Sequence, residues 1–121
     1  MTMESVKTEK KSGVFIIKLP DQLNGQALRS LESQAKMWLI DSSQIFVLDC
    51  SCVTLIARQV YPFLVQMSRK LRANGKSLYS VSASKDITTQ LVEDGLKASL
   101  NLTPTLTDVF VRNGIQDIAS A

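Results

Sequence analysis

Apolar positions change their spacing along this chain, and the changes predict an alternation of strands and helices. Residues 14–19, Val-Phe-Ile-Ile-Lys-Leu, are rich in β-branched and aromatic side chains, and Pro20 closes them; this predicts a strand. Asp21 to Gly25 predicts a turn. From Gln26 to Ile40 the apolar residues fall at 27, 28, 31, 35, 38 and 39, one stripe on a helix. Asn24 or Gly25 stands where its N-cap belongs, and Asp41-Ser42-Ser43 ends it.

Residues 45–48, Ile-Phe-Val-Leu, form a continuous apolar run, which predicts a strand covered on both faces. A helix over 59–73 turns Val60, Leu64, Met67 and Leu71 inward. Pro62 lies in its first turn, where a missing N–H costs little. Asn74-Gly75 stops it, with Gly75 suited to the left-handed position past the cap. Residues 77–81 predict the next strand. Residues 86–94 predict a helix with Ile87, Leu91 and Val92 inward, stopped by Gly95. Leu100 and Leu102 predict a short strand. Thr103 as N-cap and Pro104 as first residue open a last helix through Val109 and Phe110, stopped by Asn113-Gly114.

The order is β-α-β-α-β-α-β-α, and strands alternating with helices imply parallel neighbours. Residues 1–12 are read as a flexible segment or an edge strand beginning near Ser5-Val6-Lys7. Residues 13–121 are read as one domain. A chain of 121 residues suits one domain. Its 45% hydrophobic and 21% charged residues are ordinary for a globular protein. The formal charge of +3 is mild and compels neither a nucleic-acid nor a membrane partner. The N-terminus does not resemble a signal peptide, and no apolar run approaches the ~18 residues of a membrane span. A cytoplasmic protein is expected.

The chain has no histidine, which removes the usual general base, the commonest zinc ligand and the ordinary triads. Cys50 and Cys52 are too few for a disulfide framework and, alone, make a poor zinc site; they read as two small semi-buried thiols. No metal and no cofactor are expected, and no acid, base or nucleophile constellation is visible, so an enzyme is not expected. Arg69, Lys70, Arg72 and Lys76 cluster at a helix end, where cations are stabilising anyway. Ser84 reads as a helix cap, with Ser82 and Ser84 a less favoured modification site.

The segment Val47-Leu48-Asp49-Cys50-Ser51-Cys52-Val53-Thr54-Leu55-Ile56 resembles the STAS domain, the family of anti-sigma factor antagonists and of sulphate-transporter tails. Leu71 to Gly75, Leu91 to Leu96 and Leu106 to Phe110 add further matches, so the resemblance spans Gly13 to Gly114. It implies an α/β fold with a mixed sheet of four to five strands and about four helices packed largely on one side. It also implies regulation by protein binding. Partners in the family are often serine kinases that are also anti-sigma factors, and phosphorylation of the second serine of a D-S-S-G motif blocks binding. A phosphate brings a charge of about −1.5 to −2 to a helix N-terminus and makes the surface wrong for the partner.

This sequence departs from the family there. Aligned without gaps, the motif's Asp falls on Ala57, its two serines on Arg58 and Gln59, and its Gly on Val60. The acid usual in the turn before the first helix falls on Asn24, while Asp49 is kept. The resemblance thus puts Gln59 at the phosphoserine position, where no phosphate can be attached.

Arg58 at a helix N-terminus opposes the helix dipole, and a local rule broken without evident compensation marks a candidate site. Tyr61 and Val65, one turn apart and off the inward stripe, extend the surface, since Tyr and Arg are typical interface anchors. The expected contact surface is Arg58, Gln59, Tyr61 and Val65, with Asn24, Asp49 and Ala57 in support. The expected function is a non-catalytic module that docks a kinase-like anti-sigma factor, another STAS protein or a signalling scaffold, without the usual serine switch. The alternatives are an accessory subunit steadying the ATPase of an ABC-type lipid transporter, and a small-molecule sensor.

Overall fold

The computed structural model describes residues 6–115. Residues 1–5, including Ser5, lie outside the described residues. The fold is α/β, and the described residues form a five-stranded mixed sheet and five α-helices. Its strands are β1 (Lys7–Lys11), β2 (Val14–Lys18), β4 (Ile45–Asp49), β6 (Ser77–Val81) and β7 (Leu102–Thr103), in the spatial order β1-β2-β4-β6-β7. β1 and β2 are antiparallel and every other pair is parallel. Ser12 and Gly13 join β1 to β2 with φ of 53° and 82°. Positive φ at both central residues matches the right-handed twist of the two strands.

Helices α1 (Gly25–Ile40), α2 (Tyr61–Ala73), α3 (Lys85–Glu93) and α4 (Lys97–Leu100) share one core with Phe15, Ile17, Phe46, Leu48 and Leu78 of the sheet. The side chains of α1 that meet it are Ala27, Leu31, Ala35 and Trp38, the stripe that period 3.6 selects. Helix α5 (Leu106–Arg112) covers the opposite face, where Val109 and Phe110 meet Val14, Ile16, Val47 and Val81. The central strand β4 is thereby buried on both sides, as its unbroken apolar run requires.

Several local expectations are corrected. Within the stretch read as a turn, Gln22–Leu23 forms β3, which pairs in parallel with β5 (Leu55–Ile56). Leu100 lies on the single turn of α4 and is buried there; it is not in a strand. The last helix is capped by Thr105, with neither Thr103 as its cap nor Pro104 as its first residue. Thr105 Oγ1 accepts from the Asp108 N–H while the Asp108 carboxylate accepts from the Thr105 N–H, a reciprocal pair that satisfies two exposed helix-end groups. Thr103 is committed to β7, and its hydroxyl donates to the Asn101 carbonyl.

Candidate functional site

The β3–β5 ladder carries the chain from the sheet into the starts of α1 and α2. Asn24 caps α1: its Oδ1 accepts from the N–H groups of Gln26 and Ala27, both at 3.1 Å. The Ala57 N–H donates to the Leu23 carbonyl at 2.8 Å, tying the approach to α2 against the approach to α1. A single 3-10 turn, Arg58–Val60, then leads into α2. No side chain caps this start, and Ala57 has none that could.

Gln59 is exposed, and its amide lies over the first residue of α1. A Cβ added to Gly25 would come within 3.1 Å of Gln59 Nε2. Asn24, Gly25 and Gln59 therefore stand together. Asp49 is set back at the end of β4, where its carboxylate accepts from the Ser51 N–H at 3.0 Å and holds the following turn.

The guanidinium of Arg58 does not simply reach into water. Its Nε lies 3.3 Å from Asp94 Oδ2. The same oxygen accepts from the Tyr61 hydroxyl at 2.6 Å. Gln90 Nε2 in turn donates to the Tyr61 oxygen at 2.8 Å and to the Ile56 carbonyl at 2.9 Å. One polar chain thus runs from β5 through Gln90, Tyr61 and Asp94 to Arg58, and it stitches the start of α2 to the end of α3.

Helix geometry puts Asp94 in reach. Gly95 adopts φ +79°, and the Leu96 N–H returns to the Leu91 carbonyl at 2.8 Å. This left-handed stop leaves Asp94 as the last cap residue of α3. A carboxylate at a helix C-terminus and a cation at a helix N-terminus each oppose the local dipole. Arg58 and Asp94 offset each other's misplacement by pairing.

The Tyr61 hydrogen bond, the largest single influence, and then the hydrogen bond and charge of Arg58 hold the Asp94 carboxyl below its ordinary range. Burial pushes the Tyr61 phenol up, with the Asp94 hydrogen bond acting in the same direction. Near neutral pH the site therefore presents a neutral phenol, a carboxylate and a guanidinium, with no group poised to exchange a proton.

Tyr61 and Val65 are half-buried, a correction to their reading as exposed. Their outer edges line a cleft of about 420 Å³ with Pro62, Gln66, Arg69, Asp94, Leu96 and Ser99. Sequence reasoning missed Asp94 and Gln90.

Of the other candidates, Ser84 caps α3, accepting from the Ile87 N–H at 3.2 Å. Cys50 is buried, and burial pushes its thiol up to about 12, with Asp49 adding to the effect; Cys52 is exposed. Among the described residues no group of three or more His, Cys, Asp or Glu side chains converges to hold a metal, and no helix is long and apolar enough to cross a membrane.

Comparison with known proteins bears on the family and the fold. The family model for the STAS domain matches residues 5–109. An anti-sigma-factor antagonist (STAS) domain protein from Planctomyces limnophilus superposes with a TM-score of 0.77 at 12% identity, covering 92% of this chain and 98% of that one. An anti-sigma factor antagonist from Mycobacterium paratuberculosis does so with a TM-score of 0.77 at 20% identity, covering 88% and 91%. The murine Solute Carrier 26 family member A9 anion transporter, in its inward-facing state, matches with a TM-score of 0.66 at 16% identity, covering 85% of this chain and 18% of that one. No curated protein matches by sequence.

Proposed function

The chain belongs to the STAS domain family, and from that premise we propose that it is a non-catalytic regulatory module that docks a protein partner through the start of α2. The partner class is a kinase-like anti-sigma factor, another STAS protein or a signalling scaffold. The observation that carries this reading is the arrangement at Arg58 and Gln59. An exposed amide, Gln59, is laid over Gly25 beside an arginine fixed by Asp94, and the ungapped alignment puts the family's switch serine at Gln59. A guanidinium held at one nitrogen keeps its remaining donors for a partner and loses less side-chain freedom on binding. With no hydroxyl at residues 57–60, contact through this face is not interrupted by serine phosphorylation there.

The test is affinity capture of the tagged protein from its native lysate, beside Gln59→Glu and Arg58→Glu variants whose melting temperatures are first matched to wild type. A kinase-like or STAS protein that is retained by wild type and lost from both variants supports the reading. Equal capture by all three proteins would sink the proposed contact surface.

A second reading has one observation in its favour, the superposition on part of a murine anion transporter. In that case the captured partner is a transporter subunit.

A further inference from the structure

The charge of this chain is distributed unevenly. Residues 50–85 hold six basic side chains (Arg58, Arg69, Lys70, Arg72, Lys76 and Lys85) and no acid. The rest of the chain holds eight basic and eleven acidic ones, so the mild net charge conceals a basic segment centred on α2.

Three of the six cations are engaged inside the fold. Arg58 pairs with Asp94. Arg72 donates to the carbonyls of Ala98 and Ser99 at 3.1 and 3.3 Å, fastening α2 to α4. Lys76 donates to the carbonyl of Asp41 and lies 5.3 Å from the Phe46 ring centre. Arg69 is different. It is exposed, no acid stands three or four positions away on its helix, and it makes no ion pair among the described residues. It stands on the wall of the cleft between α2 and the α3–α4 corner.

The lining of that cleft includes an apolar group: the exposed Pro62, the half-buried Val65 and the buried Leu96. Arg69 is on the lining, and Arg58, not itself on the lining, is tied at Nε to the lining residue Asp94. Asp94, the acid on the lining, is already answered by Arg58 and Tyr61. We infer that this cleft receives an acidic segment of a partner protein that seats one apolar side chain on Val65 and Leu96 and sets its carboxylates against Arg69 and Arg58. The inference rests on the docking reading above and gives the partner's chemistry. A bidentate carboxylate suits both arginines. A nucleic acid suits the cleft less well, because its one aromatic residue, Tyr61, is half-buried with its hydroxyl engaged, and there is no stacking platform.

A random peptide display library selected on the wild-type protein tests this. Arg69→Glu and Gln66→Glu serve as counter-selection baits, and Lys7→Glu on β1 serves as a charge-matched control. All three positions are exposed, so the fold should survive, and matched melting curves establish that it does. The expected binders carry Asp or Glu on either side of a single Leu, Ile, Phe or Met. Their affinity should fall about tenfold on Arg69→Glu, fall with added salt, and stay level on Lys7→Glu. Binders without acidic enrichment, or equal binding to Arg69→Glu, overturns the inference. So does tighter binding of a single-stranded oligonucleotide at the same salt. If lysate capture still depends on Gln59 while the selection shows no acidic preference, the docking reading stands and only this chemistry fails.

Discussion

The Tyr61 hydroxyl donates to Asp94 Oδ2 at 2.6 Å across the gap between α2 and α3, and Arg58 meets the same oxygen at 3.3 Å. A tyrosine and an arginine converge on a carboxylate more than thirty residues away, and the convergence fixes the α2 start. Replacing Tyr61 by Phe removes the largest single influence that lowers the Asp94 pKa. The Asp94 carboxyl should then titrate nearer its ordinary value of ~3.9. Carbon-detected NMR titration of the side-chain carboxyls reads this directly, and an unchanged Asp94 midpoint would refute it.

Asp41, which follows α1, gives a second pH dependence. Hydrogen bonds from Ser43, then from Lys10, hold its pKa at about 2. A depressed pKa means that the contribution is fully present above the unfolded value of ~3.9 and is lost as pH falls through the folded value. Wild type should lose more stability than Asp41→Asn between about pH 4 and pH 2. Urea melts across that range make the comparison; parallel curves would show that Asp41 is not linked to folding.

Asn24 should behave as a true cap. Asn24→Ala should cost about 1 kcal/mol of stability. Asn24→Asp, which keeps the acceptor and adds a charge that suits a helix N-terminus, should be neutral or stabilising. Chemical denaturation with an unchanged slope distinguishes these outcomes from a change in the unfolded state.

The contact between Gly25 and Gln59 predicts coupling between them. Alanine at 25 gains helix propensity, but its Cβ would meet the Gln59 amide at 3.1 Å. The amide is the end of a flexible side chain, so it should yield at small cost. Gly25→Ala should be more favourable in a Gln59→Ala background than in wild type, and a double-mutant cycle measures the difference. Additive values would mean that the amide does not rest on α1.

The two thiols should differ sharply in reactivity. A thiol held near 12 supplies almost no thiolate at neutral pH, and Cys50 is buried as well. Iodoacetamide should modify Cys52 in the native protein and reach Cys50 only after denaturant is added. Peptide mass spectrometry resolves the two, and native labelling of Cys50 would contradict its burial.

Much of this fold was legible in the chain because long elements repeat their signal. The α1 stripe and the unbroken run of β4 fixed both core faces. Two-residue elements carry no period, so β3 and β5 were invisible and Leu100 was assigned to the wrong element. At the last helix, two threonines competed for the cap, and the acid three residues after Thr105 was the signal that separated them. The site was half legible. Arg58 stood out as a cation at the wrong end of a helix, but its partner is 36 residues further on. The missing clue was a second violation of opposite sign, Asp94 at the wrong end of α3. Two such misplacements are natural partners, although spacing alone does not reveal that they meet.

The sheet's two borders constrain how anything can join this molecule. One border is β1, Lys-Thr-Glu-Lys-Lys, with four of its five residues exposed. The other is β7, only two residues long. A foreign strand seeking to extend the sheet finds a row of lysine charge on one side and almost no backbone to zip onto on the other. Among the described residues, growth by strand addition is therefore discouraged at both ends.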